Sequence, residues 1–159
     1  MKIDEAIQQT KKFSTEWQKA VINLVYTSSW VSAILEKRAE HKQITLSQFN
    51  VLRILRGQYP NPITNNLIKS RMLTNMPDIS RLIDRLVLKG LVDRCKSNID
   101  KRAVSLLITE AGLQVLQELE EEMLLNDILP KNISEANCKR LNELLDTFRG
   151  CLESESENN

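Results

Sequence analysis

Apolar residues recur at steps of three and four along most of this chain, but the period changes at Leu91. There Leu-Val-Asp-Arg-Cys (91–95) leads into a polar run, Lys96-Ser97-Asn98-Ile99-Asp100-Lys101-Arg102, and then into Ala-Val-Ser-Leu-Leu-Ile (103–108). This is the pattern of two short strands flanking a basic loop, a hairpin with a charged tip. Any fold must seat that one hairpin among helices. The length of 159 residues suits about one domain, and 42% hydrophobic but only 4% aromatic residues give an aliphatic core that favours helices. The expected class is mainly α with a small β-hairpin wing.

The helices are read from stripes and caps. Positions 13, 17, 20, 21, 24, 31, 34 and 35 mark a long helix with one buried stripe, starting near Ser14 or Thr15, and Asp4 could cap a short turn before it. Thr45 with Gln48 is a capping box for a helix carrying Phe49, Leu52 and Leu55, ended by Gly57 and Pro60-Asn61-Pro62. Thr64 can cap a short helix with Leu67, Ile68 and Met72. Asn75 and Pro77 start another over residues 76–89, closed by Gly90. In that helix Ile79, Leu82, Ile83 and Leu86 share one face, while Pro77, Ser80, Arg81, Asp84, Arg85 and Leu88 share the other. Thr109 caps a helix with Leu113, Leu116, Leu119 and Met123; Pro130 marks a turn, and Ser134 begins a last helix with Leu141, Leu144, Leu145, Phe148 and Leu152.

A net charge of +1 hides a pattern. Residues 1–44 carry +2, residues 45–112 carry +6 and residues 113–159 carry −7. The positive charge lies in the middle, where a polyanion could meet an ordered surface. Enzyme chemistry is poorly served: His41 is the single histidine, and Gly57, Gly90, Gly112 and Gly150 form no phosphate-cradling loop. Neither a metal site nor a cofactor is expected, because Cys95, Cys138 and Cys151 have no zinc-ligand spacing. Their odd number fits thiols in a reducing compartment. The first residues lack the apolar core of a signal peptide, and no apolar run reaches the roughly 18 residues of a spanning helix, so a soluble cytoplasmic protein without membrane contact is expected.

A short helix, a helix with a polar outer face and a basic-tipped hairpin make the outline of a winged helix-turn-helix, which lays its second helix in a DNA major groove. Ser80, Arg81 and Arg85 are then candidate donors to bases or phosphates. Asp78 and Asp84 either accept from cytosine or orient Arg81 and Arg85 as helix neighbours. Lys101 and Arg102 suit a minor groove and Lys96 a flanking phosphate, the alternative being a solvated turn.

Four stretches resemble a known family: Ser80-Arg81-Leu82-Ile83-Asp84-Arg85-Leu86, Lys89-Gly90-Leu91-Val92-Asp93-Arg94, Asp100-Lys101-Arg102-Ala103 and Leu107-Ile108-Thr109-Glu110-Ala111-Gly112. In order and spacing they are similar to the recognition helix, wing and strand-to-helix junction of the MarR (multiple antibiotic resistance regulator) transcription factors. The resemblance covers most of the chain and implies a homodimer. Residues 1–44 and 113–159 would supply dimerisation helices and an acidic tail, and residues 45–112 a DNA-binding lobe, all in one compact domain. Two lobes would read a pseudo-palindromic operator on double-stranded DNA as a repressor. The resemblance also implies that Asp100 steadies the wing, that Arg102 enters the minor groove, and that Asn75 and Pro77 stand at the start of the recognition helix. The run from Ser70 to Asp78 departs from the small, hydroxyl-rich segment often seen there, so the family's base preference is not carried over. Many members release DNA on binding a phenolic or amphipathic molecule. Trp17, Tyr26 and Trp30 could line such a pocket or serve core and dimer packing. The alternative function is a winged-helix protein-docking module.

Overall fold

The computed structural model describes residues 1–74, 78–96 and 104–150. It divides into two compact units, Met1–Leu119 and Glu120–Asn159.

In the first unit a single turn, α1 (Ile3–Ala6), precedes α2 (Glu16–Glu40), whose Thr15 cap accepts the Gln18 N–H. Asp4 lies inside α1 rather than capping it, and Lys2 holds the cap position. The Asp4 carboxylate instead meets Lys19 at 3.2 Å. α3 (Leu46–Arg56) begins with the capping box expected of Thr45 and Gln48, which explains why Gln48 can be buried: its side-chain oxygen accepts the Thr45 N–H at 3.1 Å. The Glu36 carboxylate accepts the Leu46 N–H at 2.9 Å and ties α2 to that start.

Strand β1 (Ile63–Thr64) leads directly into α4 (Asn65–Arg71), capped by Thr64. Helix α5 (Ile79–Leu88) is capped by Asp78, a correction to the helix over 76–89 read from sequence, and Gly90 closes it at φ +69°, a conformation that costs glycine little. The hairpin is β2 (Val92–Lys96) and β3 (Val104–Ile108), antiparallel with Val92 opposite Ile108 and Lys96 opposite Val104. β1 adds to the other edge of β3, giving the order β1-β3-β2. That third strand is a correction to the hairpin read from sequence; two residues are too few to carry a period.

The core lies where α3, α4 and α5 meet the sheet: Val51, Leu52 and Leu55, Ile68, Ile83 and Leu86, then Val92 and Leu106 are all buried. At roughly 1.5–3 kcal/mol per buried aliphatic side chain, this cluster dominates the lobe's cohesion. α6 (Glu110–Met123) starts on the sheet and adds Leu116 and Leu119.

The second unit takes in the end of α6, a short α7 (Leu129–Asn132) and α8 (Glu135–Arg149). Pro130 sits in the first turn of α7, so the turn expected there is a helical one. Ser134 caps α8 by accepting the Asn137 N–H at 3.3 Å.

Candidate nucleic-acid interface

Helix α5 divides cleanly. Ile79, Leu82, Ile83 and Leu86 are buried, and Ser80, Arg81, Arg85 and Leu88 are exposed. The helix is anchored on its apolar face and offers a hydroxyl and two guanidinium groups to whatever lies outside.

Its acids are neutralised by different partners. Asp78 is the N-cap, with one carboxylate oxygen accepting the Arg81 N–H at 3.2 Å and the other meeting Arg81 Nε at 2.8 Å. One carboxylate thus starts the helix and steers its first outward arginine. Asp84 pairs with Arg94 of β2, not with Arg81 or Arg85. Both partners are half exposed, so the pair adds little stability, but it ties α5 to β2 and leaves the outward face of α5 without an unpaired carboxylate there. Helix spacing alone could not reveal it, because Arg94 reaches α5 only once the strand is in place.

At the other end of α5 a cavity of about 310 Å³ is lined by Gln43, Thr45, Gln48, Arg85, Leu88 and Lys89. The Lys89 ammonium donates to the Gln43 carbonyl across it. Tyr26 and Trp30 stand four residues apart on one side of α2, and Trp17, nine residues before Tyr26, lies half a turn round the helix. All three are exposed, and none lines this cavity.

Lys96 ends β2, while Asn75, Pro77, Asp100, Lys101 and Arg102 lie outside the described residues. Cys95 is a half-buried thiol donating to the Ser105 carbonyl at 3.5 Å, Cys138 is a half-buried free thiol, and Cys151 lies outside the described residues. Among the described residues no group of acids, histidine or cysteines could hold a metal, and no helix is long and apolar enough to cross a membrane.

A helical lobe with an outward-facing second helix and a small antiparallel sheet is a winged helix-turn-helix. The MarR family model matches residues 44–104. The crystal structure of a MarR transcription factor from Planctomyces limnophilus is 31% identical, covers 87% of this chain and 98% of that one, and superposes with a TM-score of 0.63. A mutant MarR from Escherichia coli complexed with operator DNA is 25% identical over 87% of this chain and 99% of that one, with a TM-score of 0.72. An uncharacterised HTH-type transcriptional regulator of Bacillus subtilis, YpoP, is 33% identical over 81 residues, 51% of this chain and 56% of YpoP, so the match spans little more than half that relative. The chain belongs to the MarR family of transcription regulators. The expectations of a winged helix and of a regulator rather than an enzyme are both met.

Proposed function

We propose that this chain is a homodimeric, operator-binding repressor in the cytoplasm. The observation that carries the reading is α5: four apolar side chains fix it to the lobe while Ser80, Arg81 and Arg85 face outward with their neighbouring acids already paired. The operator complex of the Escherichia coli relative supports DNA as the ligand. The dimer is supported by apolar surface that an isolated chain leaves in water, Trp17, Val25, Tyr26 and Trp30 on α2 and Leu141, Leu144 and Phe148 on α8. Residues 1–44 and 113–159 then serve association and residues 45–112 serve DNA, with Asn75 and Pro77 contacting it from ahead of the Asp78 cap of the recognition helix. Lys96, Lys101 and Arg102 approach phosphate and minor groove, and Asp100 steadies the wing. Two lobes related by a two-fold axis read half-sites about 34–36 Å apart.

Release by a small amphipathic ligand completes the proposal. The cavity at the end of α5 supports it, since Arg85 and Lys89 beside Leu88 suit an anion with an apolar body. Such a ligand acts only if it binds the DNA-incompetent state more tightly.

The test is fluorescence anisotropy on duplex DNA from upstream of the coding region, at two salt concentrations, beside a scrambled duplex. Saturable, salt-sensitive binding with a specificity ratio of about 1,000 or more is expected. Absence of binding to either duplex at low salt would overturn the reading in favour of protein docking.

A further inference from the structure

The positions 41–77 contain no aspartate or glutamate, 37 residues in a chain that has 21 acids, yet they carry Lys42, Arg53, Arg56, Lys69 and Arg71. Lys42 is paired with Glu118. Arg53, Lys69 and Arg71 are exposed, and Lys69 and Arg71 make up the basic last turn of α4, just before the segment that leads into α5. Arg53 belongs to the same place. Its guanidinium donates at 3.1 Å to the Asn50 side-chain oxygen, whose amide nitrogen donates in turn to the Met72 sulfur at 3.5 Å, and Met72 is the C-cap of α4. Asn50 is only 5% exposed. A buried amide is thus spent on holding an exposed cation over the end of α4, in a stretch of chain free of competing carboxylates. An arginine held this way loses less side-chain freedom when an anion arrives.

Resting on the DNA-binding reading above, we infer that Arg53, Lys69 and Arg71 form a second phosphate-binding edge of the lobe, gripping the duplex backbone beyond the groove read by α5, with Asn50 as the positioning residue for Arg53. Contacts of this kind carry affinity and register but no sequence information.

The experiment compares the full-length protein with Lys69→Gln/Arg71→Gln on the upstream and scrambled duplexes across a salt series. The expected result is an equal fractional loss on both duplexes, an unchanged specificity ratio, and a log affinity against log salt slope shallower by about one for each cation removed. The charge-preserving Lys69→Arg/Arg71→Lys should keep the parent slope, which separates lost phosphate contacts from a frayed α4. For Asn50, a double-mutant cycle is informative: Asn50→Leu should weaken DNA binding in the parent protein and have no further effect in an Arg53→Gln background. An unchanged slope in a Lys69→Gln/Arg71→Gln protein whose parent binds its duplex overturns this inference and leaves the DNA reading standing. A loss confined to the upstream duplex overturns it too, by making these residues base readers. A parent protein that binds no duplex removes both.

Discussion

At the scale of single residues, the junction between wing and α6 shows how little freedom the lobe has. The Thr109 hydroxyl donates to the Gly90 carbonyl at 2.7 Å and accepts the Gly112 N–H at 3.1 Å, so one side chain joins the end of α5 to the start of α6. A Cβ on Gly112 would lie 2.4 Å from the Leu91 carbonyl oxygen and 2.7 Å from Ile108. Helix propensity alone would favour Gly112→Ala by up to about 1 kcal/mol. The collision is with backbone that cannot swing away, so we expect a net loss of about 1–3 kcal/mol in chemical denaturation. A stabilised variant would contradict the packing. Nearby, the Lys42 ammonium and then the Gln114 amide hold the Glu118 carboxyl below the usual carboxylate range. A depressed folded-state pKa contributes stability above the unfolded value, about 4.3, and loses it as pH falls through the folded one. Glu118→Gln should therefore lower the thermal midpoint slightly at neutral pH, with the gap closing in acid. A gap that persists at low pH would assign the loss to something other than charge. Residues of this kind were the least legible in the sequence. Asp78 and Asp84 look alike there, as helix acids near arginines, and only the placed strand gives Asp84 to Arg94.

At the scale of elements, the sequence was most legible where a local rule suffices. The caps at Thr15, Thr45, Thr64 and Ser134 follow from hydroxyls preceding apolar stripes, and each accepts the expected N–H. β1 and α7 escaped because two and four residues span only about one period of a strand or a helix, too little for a pattern to repeat. The start of α5 was misassigned for a related reason. Asn75 and Pro77 look like a better opening than Asp78, yet it is Asp78 that caps the helix. That cap has two separable duties. Asp78→Asn keeps the oxygen that accepts the Arg81 N–H but loses the ion pair, so stability should stay within about 0.5 kcal/mol, since asparagine and aspartate cap almost equally well. Binding to scrambled DNA should then tighten, because Arg81 is released and a negative charge removed. Asp78→Ala should cost about 1 kcal/mol of stability as well. Denaturation and anisotropy on the same two variants test the division, and equal stability losses would show that the ion pair, not the cap, matters.

At the scale of the whole molecule, the question is what covers the apolar surface of α2 and α8. Along α2, Trp17, Val21 and Leu24 lie on one side and Tyr26 with Trp30 on the opposite side, all at least 39% exposed. A helix apolar on two faces is built to be covered on both. α8 has no buried residue, and Leu144 and Phe148 are 57% and 52% exposed. The sequence shows one stripe on α2, through Trp17, Val21 and Leu24, and reads it as buried, yet within a single chain these residues are exposed. Tyr26 and Trp30 lie off that stripe, and periodicity records a face and not its partner, whether in the same chain or in a second. Leu144→Asp/Phe148→Asp distinguishes the cases. In a chain that works alone, two polar groups at positions already open to water should change folding by no more than about 0.5 kcal/mol each and leave DNA binding intact. In a two-fold dimer the same carboxylates would be buried unpaired in both copies, and the assembly could not form. Sedimentation should then show the monomer mass, circular dichroism a retained helical signal, and anisotropy a loss of operator affinity of at least 100-fold by order of magnitude, because one lobe reads only one half-site. A monomeric variant that still binds the operator as tightly as the parent would sink the two-fold reading, and with it the spacing expected between half-sites.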